Sequence, residues 1–170
     1  MNVRRYRPSD EEAVIELWSQ AAKLAHPFLD GEGEGAREAK MRETYLVHAE
    51  NWVAETPEGV VGLLGLLGAE IGGLFISPQA QRLGIGRLLV EHATALHGTV
   101  TLEVYELNES ARRFYASMGF KESGRHPDAE TGHELIQLRR LARLRVNSTH
   151  VPGTIELRIS RGHVDQWPRR

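Results

Sequence analysis

A glycine-containing segment, Gln-Arg-Leu-Gly-Ile-Gly at residues 81–86, joins an apolar run typical of a strand (Ile71–Ile76) to a run typical of a helix (Arg87–His97). A glycine loop that opens a helix points several unpaired backbone N–H groups at one spot. The positive end of the helix dipole lies at the same spot. We therefore expect this loop to hold a phosphate group.

Length and composition bound the class of protein. The chain has 170 residues, of which 41% are hydrophobic, enough for one ordinary core and too few for two. We expect a single-domain soluble protein. Cysteine is absent from the sequence, which excludes disulfides, thiolate nucleophiles and iron–sulfur clusters. The eight histidines show no ligand-like spacing, and we expect no metal site.

The sequence also predicts a cytoplasmic protein without a membrane segment. Its start lacks the apolar stretch of a secretory signal. Residues 59–76 approach a membrane-spanning length with a single charge, Glu70, among them. Because Glu70 and several glycines interrupt this run, two strands joined at Gly68-Ala69-Glu70 are the better interpretation, and a membrane helix is a remote second.

Charge is divided unevenly along the chain. From Arg139 onward there are eight arginines and two acidic residues, a net charge of +6, whereas the first 138 residues carry −8. We interpret the break as a boundary between a domain at residues 1–140 and a basic, loosely ordered extension at residues 141–170. The extension lacks interleaved aromatic residues apart from Trp167, so a nucleic-acid partner is not expected.

Alternating strands and helices are predicted ahead of this extension. Short links between three strands indicate an antiparallel meander, and His26–Gly35 indicates a mobile loop. The predicted strands are Val3–Arg7, Trp52–Glu55, Val60–Leu67, Ile71–Ile76, Val100–Val104, one starting at Phe120–Lys121, and Leu135–Leu138. Four helices are predicted. The first is capped by Ser9 and Glu12 and turns inward Val14, Leu17, Trp18, Ala21 and Leu24, and the second covers Ala36–Ala49. The third covers Arg87–His97 and turns inward Leu88, Leu89, Ala93 and Leu96, and the fourth runs from the N-cap Asn108 to Gly119.

Two ligands fit the glycine loop, a dinucleotide and coenzyme A. Gly84 and Gly86 supply two glycines of the dinucleotide motif, and Glu103 lies about where its ribose-binding acid belongs. However, Leu89 replaces the third glycine, and seven residues separate the strand from the first glycine. Such a wide loop, flanked by Arg82 and Arg87, better matches a pyrophosphate that approaches end-on.

The motifs resemble those of the GNAT superfamily of N-acetyltransferases. Residues 81–86 match its acyl-coenzyme A loop, Gln/Arg-x-x-Gly-x-Gly/Ala, and are preceded by the similar run 74–78. Residues 108–120 resemble its second signature, Asn-x-x-Ala-x-x-Phe-Tyr-x-x-x-Gly-Phe. Two signatures in the right order are far more specific than one. The resemblance covers about residues 2–139 and is closest to small bacterial members that acetylate proteins, peptides or free amines.

The resemblance implies a mixed α+β GNAT fold. Its central sheet is expected to have six to seven mostly antiparallel strands, to be flanked by about four helices, and to splay between the fourth and fifth strands. Pantetheine would lie in that gap and pair with the backbone of Leu74 and Ile76. The residues implied in acetyl-coenzyme A binding are Leu74, Phe75, Ile76, Gln81, Arg82, Leu83, Gly84, Ile85, Gly86, Arg87, Asn108, Ala111 and Tyr115.

Acetyl transfer to an amine also needs a proton acceptor and a proton for the departing thiolate. Tyr115 matches the family tyrosine that protonates the thiolate. Glu70 is the first candidate base, because apolar surroundings would raise the pKa of a carboxylate there, and Glu103 is the second. For Tyr115 the alternative role is core packing, and for Glu70 it is that of an ordinary turn residue.

The acceptor side is predicted only in outline. In this family His26, Phe28 and Leu29 would flank the acceptor, although simple packing explains them equally. Acidic residues of the same loop, which are Asp30, Glu32 and Glu34, would attract a cationic amine. The alternative, which the sequence slightly favours, is a solvated glycine-rich loop without such a role.

Three hypotheses remain from the sequence. The leading one is an N-acetyltransferase, monomeric or homodimeric, that moves acetyl from acetyl-coenzyme A by direct attack of a lysine side chain, peptide, polyamine or other small amine. The second is a non-catalytic acyl-coenzyme A sensor whose basic extension engages a partner. The third is a nucleotide-dependent oxidoreductase.

Overall fold

One seven-stranded sheet organises the protein. The structure, a computed structural model, describes residues 1–142. Neighbouring strands follow the order β1-β2-β3-β4-β5-β7-β6, and every pair is antiparallel except β4 with β5. The strands are β1 (Asn2–Arg5), β2 (Glu50–Thr56), β3 (Gly59–Leu67), β4 (Glu70–Ile76), β5 (Val100–Tyr105), β6 (Lys121–Pro127) and β7 (Glu134–Arg140). The predicted mixed, mostly antiparallel sheet is confirmed.

Helices cover both faces of the sheet. They are α1 (Glu11–Ala25), α2 (Gly35–Lys40), α3 (Leu46–His48), α4 (Ile85–His97) and α5 (Glu109–Ser117). A π-helical turn, Met41–Tyr45, joins α2 to α3. These three pieces form one helical segment that coincides with the predicted second helix. Four helical segments therefore flank the sheet in the described part of the chain, as predicted.

Two cores follow from the alternation of side chains along the strands. On one face Leu64, Leu66 and Leu102 pack with Leu89 of α4 and Tyr115 of α5. On the opposite face Val53 and Leu63 pack with Val14, Trp18 and Met41. Successive strand residues such as Leu63 and Leu64 thus serve different cores, because strand side chains alternate between faces. The sheet is the middle layer of a three-layer domain.

Three predicted inward leucines and one predicted cap are wrong. Leu24, Leu88 and Leu96 are 66%, 40% and 44% exposed, because the buried stripe of each helix is narrower than the apolar residues suggest. In α4 the buried residues are Ile85, Leu89, Val90 and Ala93. Ser9 does not cap α1: residues 8–10 form a 3₁₀ turn, and Asp10 is held by Arg4 and by the N–H of Arg7.

The sheet opens between β4 and β5, which confirms the predicted splay. These strands pair only at Glu70 with Thr101 and at Ile71 with Leu102, and then separate. Just beyond this point β4 carries a bulge at Gly72, because Leu66 of β3 pairs with Ile71 and the preceding Gly65 pairs with Gly73. A bulge adds one residue to a strand and shifts the alternation of its side chains.

As a result, the later residues of β4 divide between the two cores. Leu74 and Ile76 pack on the α4 and α5 side, and Phe75 packs on the α1 side. The backbone of residues 72–76 faces a gap on the side of β5. Such a gap leaves strand N–H and C=O groups for an extended ligand.

Two further expectations concern a membrane-spanning segment and the basic extension. Within residues 1–142, no helix is both long and apolar enough to cross a bilayer. The predicted basic extension lies outside the described residues from position 143 onward.

Candidate active site

The predicted phosphate loop is the exposed turn that enters α4. Gly84 is the N-cap of α4 and has a φ of +83°, a left-handed conformation that glycine adopts without strain. Arg82 also has a positive φ, +63°. The N–H of Leu88 donates the first helical hydrogen bond of α4, to Gly84 O at 3.0 Å. The preceding amides point out of the helix end, as a phosphate site requires.

Helix α5 packs against this loop and so joins the two signatures. A Cβ atom built on Gly86 would lie 3.2 Å from Cζ of Phe114. Asn108 caps α5, since its Oδ1 accepts the N–H of Ala111 at 3.2 Å, and the predicted N-cap is confirmed. Ala111 and Phe114 pack against the core beside α4.

Tyr115 lies on the buried side of α5. Its side chain is 8% exposed and packs edge-to-face on Phe114 and Phe120, with ring centroids at 5.1 and 5.3 Å. Burial raises the pKa of the Tyr115 phenol above its ordinary value. The hydroxyl therefore stays protonated at neutral pH and is a hydrogen-bond donor.

A separate cleft of about 330 Å³ lies on the opposite side of β4. Gly72 and Gly73 form its boundary with the β4–β5 gap, and Phe75 lines it. Its other walls come from α1, α2 and the segment between them, from the π-helical turn, from β2, β3, β5 and β7, and from the loop between β6 and β7. The polar residues in the lining are His26, Glu32, Arg37, Lys40, Tyr45, Asn51, Glu70, Glu103, Tyr105, Asp128 and Glu130.

Aromatic rings from two loops meet over this cleft. The His26 ring lies 5.2 Å from that of Tyr105. Phe28 packs behind them, 5.3 Å from Tyr105 and 5.1 Å from His133 of the β6–β7 loop. Of the three predicted acceptor residues, the structure places His26 in the cleft and Phe28 behind it. Leu29 is buried in packing, 8% exposed, and does not line the cleft.

The loop predicted as mobile is fixed by contacts at both ends. Ser19 Oγ donates to Gly33 O at 2.6 Å, and Lys23 forms an ion pair with Glu34 at 3.1 Å. His26 Nδ1 lies 3.0 Å from Glu32 Oε2. Glu32 and Glu34 therefore have partners within or beside the loop, whereas Asp30 is exposed.

The charge of the cleft is negative. Five carboxylates line it, and Arg37 and Lys40 are its permanent cations. Tyr105 donates to Asp128 Oδ2 at 2.5 Å. Burial opposes ionisation of Asp128, but hydrogen bonds from Tyr105, Thr131 and the N–H of Glu130 outweigh it and keep the pKa of the carboxyl below its ordinary value. Burial and this hydrogen bond raise the pKa of Tyr105. Asp128 is therefore an anion at neutral pH.

The two predicted bases differ in their surroundings. Glu70 is exposed at the start of β4, so the apolar surroundings expected for it are absent. Glu103 points into the cleft from β5, and its Oε1 is 2.7 Å from His126 Nε2. Both carboxylates line the cleft, and that of Glu103 has His126 as a partner.

Comparison with known proteins identifies the family. The sequence profile of the acetyltransferase (GNAT) domain matches residues 48–122. The peptidyl-lysine N-acetyltransferase YjaB of Salmonella typhimurium is 37% identical over 126 residues, which are 74% of this chain and 86% of that protein. The chain belongs to the GNAT acetyltransferase family.

Other GNAT proteins agree in sequence and fold. Peptidyl-lysine N-acetyltransferase YiaC of Escherichia coli is 32% identical over 119 residues, 69% of this chain and 82% of that protein. The solution structure of apo YjaB from Escherichia coli superposes with a TM-score of 0.70 at 31% identity, over 84% of this chain and 98% of that one. The crystal structure of an aminoglycoside 6'-N-acetyltransferase with coenzyme A shares the fold, with a TM-score of 0.58 at 16% identity over 83% of this chain and 97% of that one.

Several site residues of this GNAT protein escaped the sequence analysis. The Gly72-Gly73 pair inside a strand was a signal for the bulge. No local signal marks Tyr105, Asp128 or His126, because they meet the cleft through contacts between strands that are distant in sequence. Within residues 1–142, no group of three or more His, Asp or Glu side chains could hold a metal ion.

Proposed function

We propose that this GNAT enzyme acetylates the side-chain amine of lysine in a peptide or protein, with acetyl-coenzyme A as the acyl donor. The observation that carries this proposal is the acidic cleft beside the β4–β5 gap, which offers negative charge to a cation next to the place for an acyl donor. Both YjaB and YiaC are named as peptidyl-lysine N-acetyltransferases. That shared acceptor class supports the same class here.

For the donor, the loop and the open strand supply complementary contacts. The amides at the start of α4, together with Arg82 and Arg87, suit the pyrophosphate of coenzyme A. The backbone of Leu74 and Ile76 suits the amides of pantetheine, which resemble a peptide strand. Gln81 and Leu83 belong to the exposed part of the loop and would contribute backbone groups, while Asn108 fixes the start of α5 beside the pantetheine path.

For the acceptor, the cleft suits a slender cationic chain. The ring edges of His26 and Tyr105 can pack along methylene groups, and the carboxylates of Asp128 and Glu103 attract the ammonium group. Loops from two sides cover the cleft, where Lys40 pairs with Glu130 at 3.7 Å. A side chain fits this shape better than a bulky ring system.

The reaction is a direct attack. A carboxylate takes one proton from the lysine ammonium group, and the neutral nitrogen forms a bond to the acetyl carbon while the carbon–sulfur bond breaks. The thiolate receives one proton, and a second proton leaves to water. We assign the removal of the ammonium proton to Glu103, which lines the cleft and whose Oε1 lies 2.7 Å from Nε2 of His126. We assign the hydrogen bond that the departing sulfur receives to Tyr115.

A thiol-release assay with acetyl-coenzyme A tests the proposed function. The acceptors are a peptide with a blocked N-terminus and one lysine, the same peptide with dimethyl-lysine, a lysine-free peptide with a free N-terminus, spermidine and an aminoglycoside. We expect release with the first peptide and none with its dimethylated form. Release confined to spermidine, the aminoglycoside or the free N-terminus would overturn the assigned acceptor.

A binding comparison tests the donor separately. Acetyl-coenzyme A is expected to raise the melting temperature of the protein, because a ligand that binds the native state stabilises it. NAD is expected to have no effect. The opposite pattern would contradict the donor assignment and restore the oxidoreductase hypothesis.

A further inference from the structure

Two side chains hold the carboxylate of Glu103 in one orientation. His126 of β6 places Nε2 2.7 Å from Oε1 of Glu103. Gln137 of β7, which lies between β5 and β6, directs Nε2 toward the same oxygen at 3.4 Å. Within residues 1–142, Oε2 of Glu103 makes no hydrogen bond. One oxygen is thus fixed by the sheet, and the other is available in the cleft.

The register of the strands creates this arrangement. Gln137 pairs with Glu103 on one side and with Gly124 on the other, so the three positions lie in one row across the sheet. A Cβ atom on residue 124 would come within 2.6 Å of Gln137 Oε1, so glycine at this position leaves room for the Gln137 amide. A register shift between Glu122 and Gly124 brings His126 onto the face that carries Glu103.

The ring of His126 has an acceptor at each nitrogen. Nδ1 is 3.1 Å from the carbonyl oxygen of Pro127, and Nε2 meets the Glu103 carboxylate. Carbonyl and carboxylate oxygens only accept, so both contacts are hydrogen bonds when the ring carries two protons. The bond to Glu103 is then charge-assisted, the stronger class of hydrogen bond.

Other groups on this face do not replace the histidine. The other titratable side chains that line the cleft are His26, Glu32, Arg37, Lys40, Tyr45, Glu70, Tyr105, Asp128 and Glu130. Among them, Tyr105 donates a hydrogen bond to Asp128, and the cations Arg37 and Lys40 lie 3.8 and 3.7 Å from Glu32 and Glu130. From β7 the uncharged side chains of Leu135 and Gln137 lie in the rows beside His126 and Glu103. Within residues 1–142, His126 and Gln137 are the side chains that contact the carboxylate of Glu103.

We propose that His126 is a positioning residue that acts through Glu103 in the acetyl transfer. This inference rests on the proposed function. His126 and Gln137 hold Oε1, so that Oε2 faces the acceptor ammonium group and takes its proton. The nitrogen–carbon bond then forms and the carbon–sulfur bond breaks. Of the two protons that the nitrogen gives up, one reaches water by way of Glu103. The other is lost as the amide forms and replaces, through water, the proton that Tyr115 gives to the thiolate.

The test is a double-mutant cycle in the full chain, with acetyl-coenzyme A and the blocked lysine peptide as substrates. We expect His126→Ala to lower kcat about 10- to 100-fold, because misplacement of a catalytic group has an effect of that order. The KM for acetyl-coenzyme A is expected to stay unchanged. His126→Gln should recover much of kcat, since its amide can donate to Oε1. In a Glu103→Gln background, His126→Ala should have no further effect on kcat.

The controls separate positioning from folding and from failure of the proposed function. Lys121→Ala, at an exposed position on the same strand, should behave as wild type. If a thermal melt shows that His126→Ala is not folded, His126→Phe replaces that variant in the cycle, because phenylalanine keeps a ring but has no hydrogen-bond donor. Two results would overturn the inference. One is a wild-type kcat in the variant whose residue 126 cannot donate a hydrogen bond. The other is a kcat loss in the double variant equal to the product of the two single losses. Absence of thiol release by the wild-type protein would overturn the proposed function as well.

Discussion

Gly86 of α4 and Phe114 of α5 approach so closely that a methyl group on residue 86 would lie 3.2 Å from the Phe114 ring. Gly86 does not have a positive φ, so its backbone conformation does not require glycine. The close contact with Phe114 accounts for the small residue at this position. The contact joins the helix that opens at the phosphate loop to the helix that carries Tyr115. In the proposed function, this contact ties the loop that would hold the pyrophosphate to the helix whose tyrosine would meet the sulfur.

Substitution of Gly86 tests this link. We expect Gly86→Ala to raise the Kd for acetyl-coenzyme A about tenfold, an energy of about 1.4 kcal/mol, because the ring must shift and α5 with it. The intrinsic preference of alanine for helices, about 1 kcal/mol over glycine, should keep the fold stable. Titration calorimetry measures the Kd. The matched variant Gly86→Ala with Phe114→Leu relieves the clash and should regain affinity; equal affinity in both variants would argue against the link.

The fold was predictable from local patterns because each of its elements carries its own signal. Gly84 at the start of α4 and the cap Asn108 act through backbone geometry within a few residues, and the helix starts predicted from them are confirmed. The inward orientation predicted for Leu88 and Leu96 was wrong. An apolar residue at the edge of a helical stripe can face either solvent or core, and only the curvature and size of the neighbouring sheet decide which.

The candidate site was predictable only where one motif carries it. Tyr115 belongs to a signature, and its position on α5 follows from the sequence. By contrast, the pairing of Tyr105 with Asp128 and of Glu103 with His126 depends on strand register across 23 residues in each case. A change of one residue in register moves a side chain to the opposite face, so no local pattern contains such pairs.

Removal of the Tyr115 hydroxyl should reduce turnover more than donor affinity. We expect Tyr115→Phe to lower kcat about 100-fold, in the range of general acid catalysis. The Kd for acetyl-coenzyme A is expected to change less than threefold, because the ring contacts with Phe114 and Phe120 remain. Single-turnover kinetics separates the two quantities. Tyr6→Phe provides a control with the same chemical change, because Tyr6 packs on the α1-side core and does not line the cleft. Unchanged kcat in Tyr115→Phe would remove this residue from the mechanism.

Loss of the Phe28 ring should alter the choice of acceptor. Phe28 supports Tyr105 and joins it to His133, so Phe28→Ala is expected to widen the cleft. We expect the KM for the blocked lysine peptide to rise about tenfold, and kcat/KM for a bulkier amine such as an aminoglycoside to fall less or to increase. Steady-state kinetics with both acceptors measures the ratio. An equal decrease for both acceptors would indicate a general effect on folding rather than on the shape of the cleft.

Acid should destabilise the fold through His92 of α4. Its ring packs on Trp52 with centroids 4.2 Å apart, and its Nε2 is buried without a hydrogen-bond partner in the described part of the chain. Burial lowers the pKa of this imidazole, although the nearby Glu50 carboxylate partly opposes the effect. The unfolded chain therefore binds a proton near pH 6.5, at a pH where the folded protein resists it.

The sign of the effect follows from this difference. The contribution of neutral His92 is fully present above about pH 6.5 and is lost as the pH falls below that value toward the lowered pKa of the folded state. Urea unfolding at intervals between pH 7.5 and 5 should show a decreasing free energy of unfolding. In His92→Gln, which does not titrate, the decrease should be smaller. Asp10 and Asp128 do not account for it, because groups with a lowered carboxyl pKa lose their contribution only at a more acidic pH. An identical slope in wild type and His92→Gln would exclude this histidine as the source.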